Sequence, residues 1–189
     1  AALVECMRLD FRAIDFAWAR EIADALLAHF EDRDAGGFWF TRDDHETLMH
    51  RHKPGPDNAT PSGNGIAALA LAQFAQVASE PRYADAAQRT VTVFARMING
   101  EPESFCTLLL ADDALRHPAP LVVLDGEPST TRDWRGALAR IAGDALVIDV
   151  AGRDDVPAAI AKGGRVAAGA CAWLCRDFAC LPRIDSLDE

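Results

Sequence analysis

Over the first 117 positions apolar residues recur at steps of three and four, and beyond them the pattern contracts into short runs. Phe11, Ile14, Trp18, Ile22 and Leu26 make one stripe, which predicts a helix ending near Phe30, with Asp10 as its N-cap and the end of another helix in residues 1–8. Asp34, Ala35, Gly36 and Gly37 break it. Phe38, Trp39 and Phe40 then favour a short strand, with residues 48–51 returning beside it, so a β-hairpin insertion is expected near 37–52.

Residues 53–57 hold two prolines and a glycine and cannot be regular structure. Thr60 before Pro61 reads as an N-cap followed by proline at the first helical position. The helix they open is rich in Gly and Ala, which suits close packing on several sides. Ser79, Glu80 and Pro81 link it to a helix striped by Tyr83, Ala87, Val91, Phe94 and Ile98; Asn99 and Gly100 end that one, and Pro102 opens another carrying Phe105, Leu108, Leu109 and Leu115. Consecutive helices joined by short loops predict αα-hairpins.

At residues 117–120 the character changes. Residues 121–124 and 145–150 read as strands flanking a helix that Ser129 or Thr130 caps and that carries Trp134, Leu138 and Ile141, which predicts a right-handed crossover between parallel strands. A weaker helix is expected over 156–162, leading to Gly163 and Gly164, and a terminal β-hairpin over 167–175 and 179–184. The expected class is therefore α+β, with helical hairpins over 1–117 and a small α/β subdomain over 118–189.

Charge narrows the partners. The 189 residues carry 29 acidic against 19 basic side chains, a formal net charge of −10, which opposes nucleic acid and anionic lipid. No apolar run approaches the roughly 20 residues that span a bilayer, and no signal pattern is seen, so neither nucleic acid nor membrane is an expected partner and a cytoplasmic location is. The first residue, Ala1, already sits in helix-like sequence, which leads us to expect a section of a longer protein.

The unusual polar residues gather in one stretch, from Gly36 to Asn64. Asp43, Asp44, His45 and Glu46 offer acid/base groups, since a histidine near carboxylates titrates close to neutral pH, and Asp44 with His45 is the candidate catalytic pair. Asp43, Glu46, Asp57, Asn58, Ser62 and Asn64 are the candidate substrate-binding groups. Each has a plainer reading beside this one: aspartates in turns, Asp57 and Asn58 in a loop, and Asn64 in a buried polar network. His45, His50 and His52 lack the spacing of a zinc site, so no metal is assigned, and no cofactor motif is present. Asp125, Gly126 and Glu127 follow a strand without a phosphate-binding glycine pattern.

Five cysteines are an odd number for a disulfide framework. If Asp177 and Phe178 form a two-residue turn, Cys175 and Cys180 lie opposite one another, within reach of a disulfide after some adjustment. The preferred expectation is that they are reduced core thiols.

Three motifs together, FTRDDHE after a Gly-Gly-aromatic run, DNATPSGN opening a small-residue helix, and AWLCRDFACLPRI near the end, resemble the closing section of the YyaL-type, spermatogenesis-associated thioredoxin-like proteins. That resemblance spans nearly the whole chain. It implies a longer protein with a thioredoxin-like domain and an (α/α)6 toroid similar to N-acylglucosamine epimerases and six-hairpin glycosidases, of which this chain holds the last hairpins. The family's thioredoxin-like cysteine motif has no counterpart here. A carbohydrate or other small molecule is the implied ligand, with the upstream domains of the same protein as partners. Sugar binding, isomerisation or hydrolysis is the first implied activity, and a non-catalytic scaffold that presents clients to the redox module is the alternative.

Overall fold

A computed structural model describes residues 1–46, 48–163 and 169–187. It is a mixed α and β protein, about half helical, with a four-stranded sheet. The elements in order are α1 (Ala2–Leu9), α2 (Ala13–His29), α3 (Gly63–Ala78), α4 (Pro81–Gly100), a 3-10 turn (Pro102–Phe105), α5 (Cys106–Arg116), β1 (Leu121–Gly126), α6 (Pro128–Ile141), β2 (Leu146–Asp149), β3 (Ala170–Arg176) and β4 (Ala179–Cys180). They form two compact units. One contains Trp18–Ala75 and Glu80–Pro118, with Ala1; the other contains Ala2–Ala17, Gln76–Ser79 and everything from Ala119 onward. Residues 2–17 thus group with the sheet and not with the hairpins, which a single cut at residue 118 does not anticipate.

In the helical unit, α4 buries Tyr83, Ala87, Val91, Phe94 and Ile98, the expected stripe, together with Ala86 and Thr90. Phe94 meets Phe105 across the turn into α5, with ring centroids 6.4 Å apart, and Phe74 of α3 meets Tyr83 at 5.3 Å. α3 starts at Gly63 instead of Pro61, because Ser62, not Thr60, is the cap: its Oγ accepts the Gly65 amide at 3.0 Å. Gly65 leaves no alternative there, since a Cβ on it would sit 2.7 Å from the Thr107 side chain.

The stripe expected to bury α2 is on the wrong side. Ile14, Trp18 and Ile22 are 52%, 55% and 57% exposed, while Phe16, Ala19 and Ala23 are buried. α2 carries apolar residues on more than one face, so periodicity alone offers two choices, and the alanine side permits the closer approach.

Among the described residues, the hairpin expected near 37–52 does not form. Phe38 makes a single antiparallel bridge with Glu31, Trp39 donates its amide to Phe30, and Phe40 donates its amide to His52. No ladder continues among the described residues, because Lys53 and Asn64 take over the hydrogen bonding at its base.

In the second unit the strand order is β2-β1-β3-β4, with β1 and β2 parallel and the remaining pairs antiparallel. Strand alternation splits β1 and β3 between two faces. Val122, Leu124, Ala170 and Ala172 pack with Trp134 and Leu138 of α6, while Val123, Cys171 and Trp173 are buried on the opposite side. Glu127 occupies the N-cap position of α6 with Pro128 first in the helix, so neither Ser129 nor Thr130 caps it. Ile141 is exposed. The helix expected over 156–162 is only a turn at 158–160; Gly164, Ala167 and Ala168 lie outside the described residues.

The terminal hairpin is short. Asp177 and Phe178 both take positive φ, 47° and 64°, the conformation of a two-residue hairpin turn, and place Cys175 opposite Cys180 with Cα atoms 3.9 Å apart. The two sulfurs are joined in a disulfide, which corrects the expectation of reduced thiols: the left-handed turn sets the two residues directly opposite one another at close range. Cys6 and Cys106 are exposed thiols, and Cys171 is a buried one whose pKa is pushed up to about 11 by burial and by the neighbouring Asp125.

Unfolding the chain without reductant in the presence of a thiol reagent is expected to label three cysteines, and labelling after reduction all five. Intact-mass measurement decides it, and five labels without reductant would refute the bond.

Candidate functional site

The polar excursion between α2 and α3 is built around a side chain that sequence placed in doubt. Asn64, in the first turn of α3, is 2% exposed. Its Oδ1 accepts the Phe38 amide at 2.6 Å, and its Nδ2 donates to the Phe38 carbonyl at 2.9 Å and to the Pro54 carbonyl at 2.8 Å. An asparagine side chain thus closes on one residue's amide and carbonyl as a neighbouring strand would, and pins both limbs of the excursion at once. Gly37, at φ +76°, fits because a Cβ would sit 3.2 Å from that Oδ1; at Gly36 a Cβ would sit 2.6 Å from the Arg89 carbonyl.

Two further fasteners hold the base. Lys53 Nζ donates to Asp32 Oδ2 at 2.7 Å and to the Gly36 carbonyl at 2.6 Å, and lies 4.4 Å from the centre of the Trp39 ring. The Lys53 hydrogen bond, helped by the Ala35 and Asp34 amides, holds the Asp32 carboxyl below its usual pKa. Asp57 accepts the Ser62 amide at 2.8 Å on one oxygen and the Thr107 amide at 2.7 Å on the other, tying the loop to α5. Burial pushes the Asp57 pKa up, but these amides outweigh it and the net shift is down.

The outer tip is different in kind. Asp43 and Asp44 are turn residues and exposed. Asp44 takes both hydrogen bonds of Arg42 at 2.8 Å, and its pKa falls to about 2, with the Arg42 hydrogen bond the main cause. Asp43 Oδ1 lies 3.1 Å from His29 Nδ1. His45 is exposed, its Nδ1 3.4 Å from the Glu46 carbonyl, and no hydrogen bond joins it to Asp44 among the described residues. Glu46, Asn58, His50 and His52 are exposed as well.

Sequence reasoning missed His29, which comes within 4.8 Å of the ligand-type atoms of Asp43 and Asp44 although it lies at the far end of α2. No signal in spacing points to it. Both Asp44 oxygens serve Arg42 and the group is exposed, so the cluster is accounted for by ion pairing and we assign no metal.

The structure therefore divides the proposed site residues. Asp57, Ser62 and Asn64 come together as buried or half-buried fasteners; Asp43, Asp44, His45 and Glu46 share the exposed tip; Asn58 turns outward and receives the Ala59 amide. Neither His45 nor Asn64 lines any of three hollows elsewhere. One of these, an open groove of about 620 Å³, is lined by Asp24, Leu27, Ala28, Glu31, Arg33, Arg82 and Arg89. Its charges are mostly paired with each other: Arg82 with Asp24 at 2.7 Å, Arg89 with Glu31, and the buried Tyr83 hydroxyl donating to Asp24 at 2.6 Å.

Replacing Asn64 by alanine strands the Phe38 amide and two carbonyls, so a loss of about 2–4 kcal/mol is expected, given ~1–3 kcal/mol per buried polar group left unpaired. Urea unfolding measures it, and an unchanged midpoint would show that the pin does not hold the fold. Because Asp32 and Asp57 have lowered folded-state pKa values, their contribution is fully present above the unfolded carboxyl pKa, declines below it, and is lost as pH falls through the lower folded values. Stability is expected to be flat above about pH 5 and to fall below about pH 4, with a shallower fall in Asp57→Asn. Parallel profiles for the two proteins would contradict this.

No protein-family model matches the chain, and no curated protein or solved structure is similar enough to be matched to it.

Proposed function

We propose that this chain is a non-catalytic section of a larger protein of helical hairpins, in which it supplies a rigid wall and a binding surface. The carrying observation is α2. A helix with Phe16, Ala19 and Ala23 buried on one side and Ile14, Trp18 and Ile22 exposed on another is apolar where a helix lying on a surface is polar. The occupant that suits such a face is another amphipathic helix, from an upstream hairpin of the same polypeptide. The resemblance to the YyaL-type, thioredoxin-like proteins, with their (α/α)6 toroid, supports that occupant.

Sugar isomerisation or hydrolysis stands second. Acid/base catalysis needs a pair of groups with separated pKa values facing one space. Asp44 is held ionised by Arg42, His45 does not share its hydrogen bond, and Asp57 and Asn64 are committed to backbone groups. With Asp57 and Asn64 spent on backbone groups, the candidate binding residues favour the scaffold reading.

The isolated chain should self-associate through α2 and bind an apolar dye. Trp18→Lys with Ile22→Lys should remove both properties and leave the unfolding midpoint near that of the parent, since neither side chain is buried. Light scattering across a concentration series reads the outcome. A parent chain that stays monomeric and dye-free would overturn the proposal.

A further inference from the structure

A second hollow lies in the α/β unit, separate from the polar excursion and independent of the reading above. It holds about 170 Å³ and opens beside the carboxyl ends of the parallel pair β1 and β2, the edge of an α/β sheet where ligands characteristically bind. The hollow is small, so a compact ligand is implied. Val123, Val150, Val156 and Ile160 give it an apolar wall, and Asp125, Lys162 and Trp173 bring polar groups to it.

Trp173 is the informative residue. It is only 6% exposed and pairs with Val123 across β1 and β3, yet its indole N–H has no hydrogen-bond partner among the described residues. The ring edge carrying Nε1 faces Gly163, another lining residue: a Cβ there would sit 3.0 Å from Cζ2 and 3.8 Å from Nε1. Asp125 stands on the same face of the sheet, two register pairs further along β1. Its Oδ1 accepts the Gly126 amide at 2.7 Å, and its other oxygen has no hydrogen-bond partner among the described residues. Lys162 Nζ donates to the Ala159 carbonyl at 2.6 Å and the Ser79 hydroxyl at 3.1 Å, which leaves one N–H of the ammonium group.

We infer that this crevice binds a small carboxylate with an amine or hydroxyl on the adjacent carbon and a short branched apolar tail. Lys162 and the Trp173 indole N–H hold the carboxylate, Asp125 accepts from the amine or hydroxyl, and Val150, Val156 and Ile160 enclose the tail. Burial lowers the Lys162 pKa, and an anionic ligand is the partner that restores the ammonium's favourable surroundings. Arg153, which is paired with Asp10, and Asp154 also line the hollow.

The test uses the indole region of a proton–nitrogen correlation spectrum, where the four tryptophans give four resonances and Trp173→Phe identifies the one of interest. The whole chain is titrated with L-valine, with 2-hydroxy-3-methylbutyrate and with 3-methylbutyrate, which lacks the adjacent polar group. Saturable movement of the Trp173 resonance is expected with the first or second, at least about tenfold tighter than with the third, the scale of one charge-assisted hydrogen bond. Asp125→Asn should abolish that preference while leaving 3-methylbutyrate binding unchanged. No movement with any of the three up to their solubility limits would overturn the proposal. So would equal affinity for all three, or an Asp125→Asn variant that keeps the preference.

Discussion

The constraint on which the helical unit depends is the need to satisfy the backbone of the interval 30–62, whose described residues are neither helix nor ladder. Backbone amides and carbonyls buried without partners each carry a cost comparable to a lost hydrogen bond. Asn64 meets that need with three hydrogen bonds from one side chain, from a position inside the first turn of α3 where asparagine is otherwise a poor choice. Lys53, Asp57 and Ser62 complete the fastening, and the glycines at 36, 37 and 65 are small so that the backbone can come close enough for it to work.

Burial sorts the charged residues by the work they do. Exposed pairs such as Arg42 with Asp44 or Arg116 with Asp112 contribute little to stability, because water already solvates both members. Lys53 and Asp32 are mostly buried, and their pairing is accompanied by backbone hydrogen bonds to each member and by the Trp39 ring. Removing one partner there would leave a charge uncompensated. The same residue types therefore fix the loop at its base and merely decorate it at its tip, which is why the tip reads chemically rich in sequence and is chemically spent in three dimensions.

The α/β unit reverses that relation. Its sequence shows no nucleotide or metal motif, and its sheet is ordinary, with α6 covering one face. Yet it brings an indole, a carboxylate and an ammonium group to one small hollow at the edge of parallel strands. In the helical unit the buried side chains that sequence marked as functional have their partners.

Period and punctuation determined much by themselves: the hairpin of α4 and α5, the parallel pair flanking α6, the antiparallel β3 and β4, and the turn character of Asp43 and Asp44 were all readable, because each rests on interactions between residues near in the chain. What the tertiary structure alone decided were choices between local alternatives. Which side of α2 is buried turned on alanines that allow close approach. Whether residues 37–52 pair as strands turned on Asn64 and Lys53 claiming their backbone first. Cys175 and Cys180 bond because two residues accept left-handed backbone between them. Partners far apart in sequence settle such choices, and hydrophobic spacing carries no record of them.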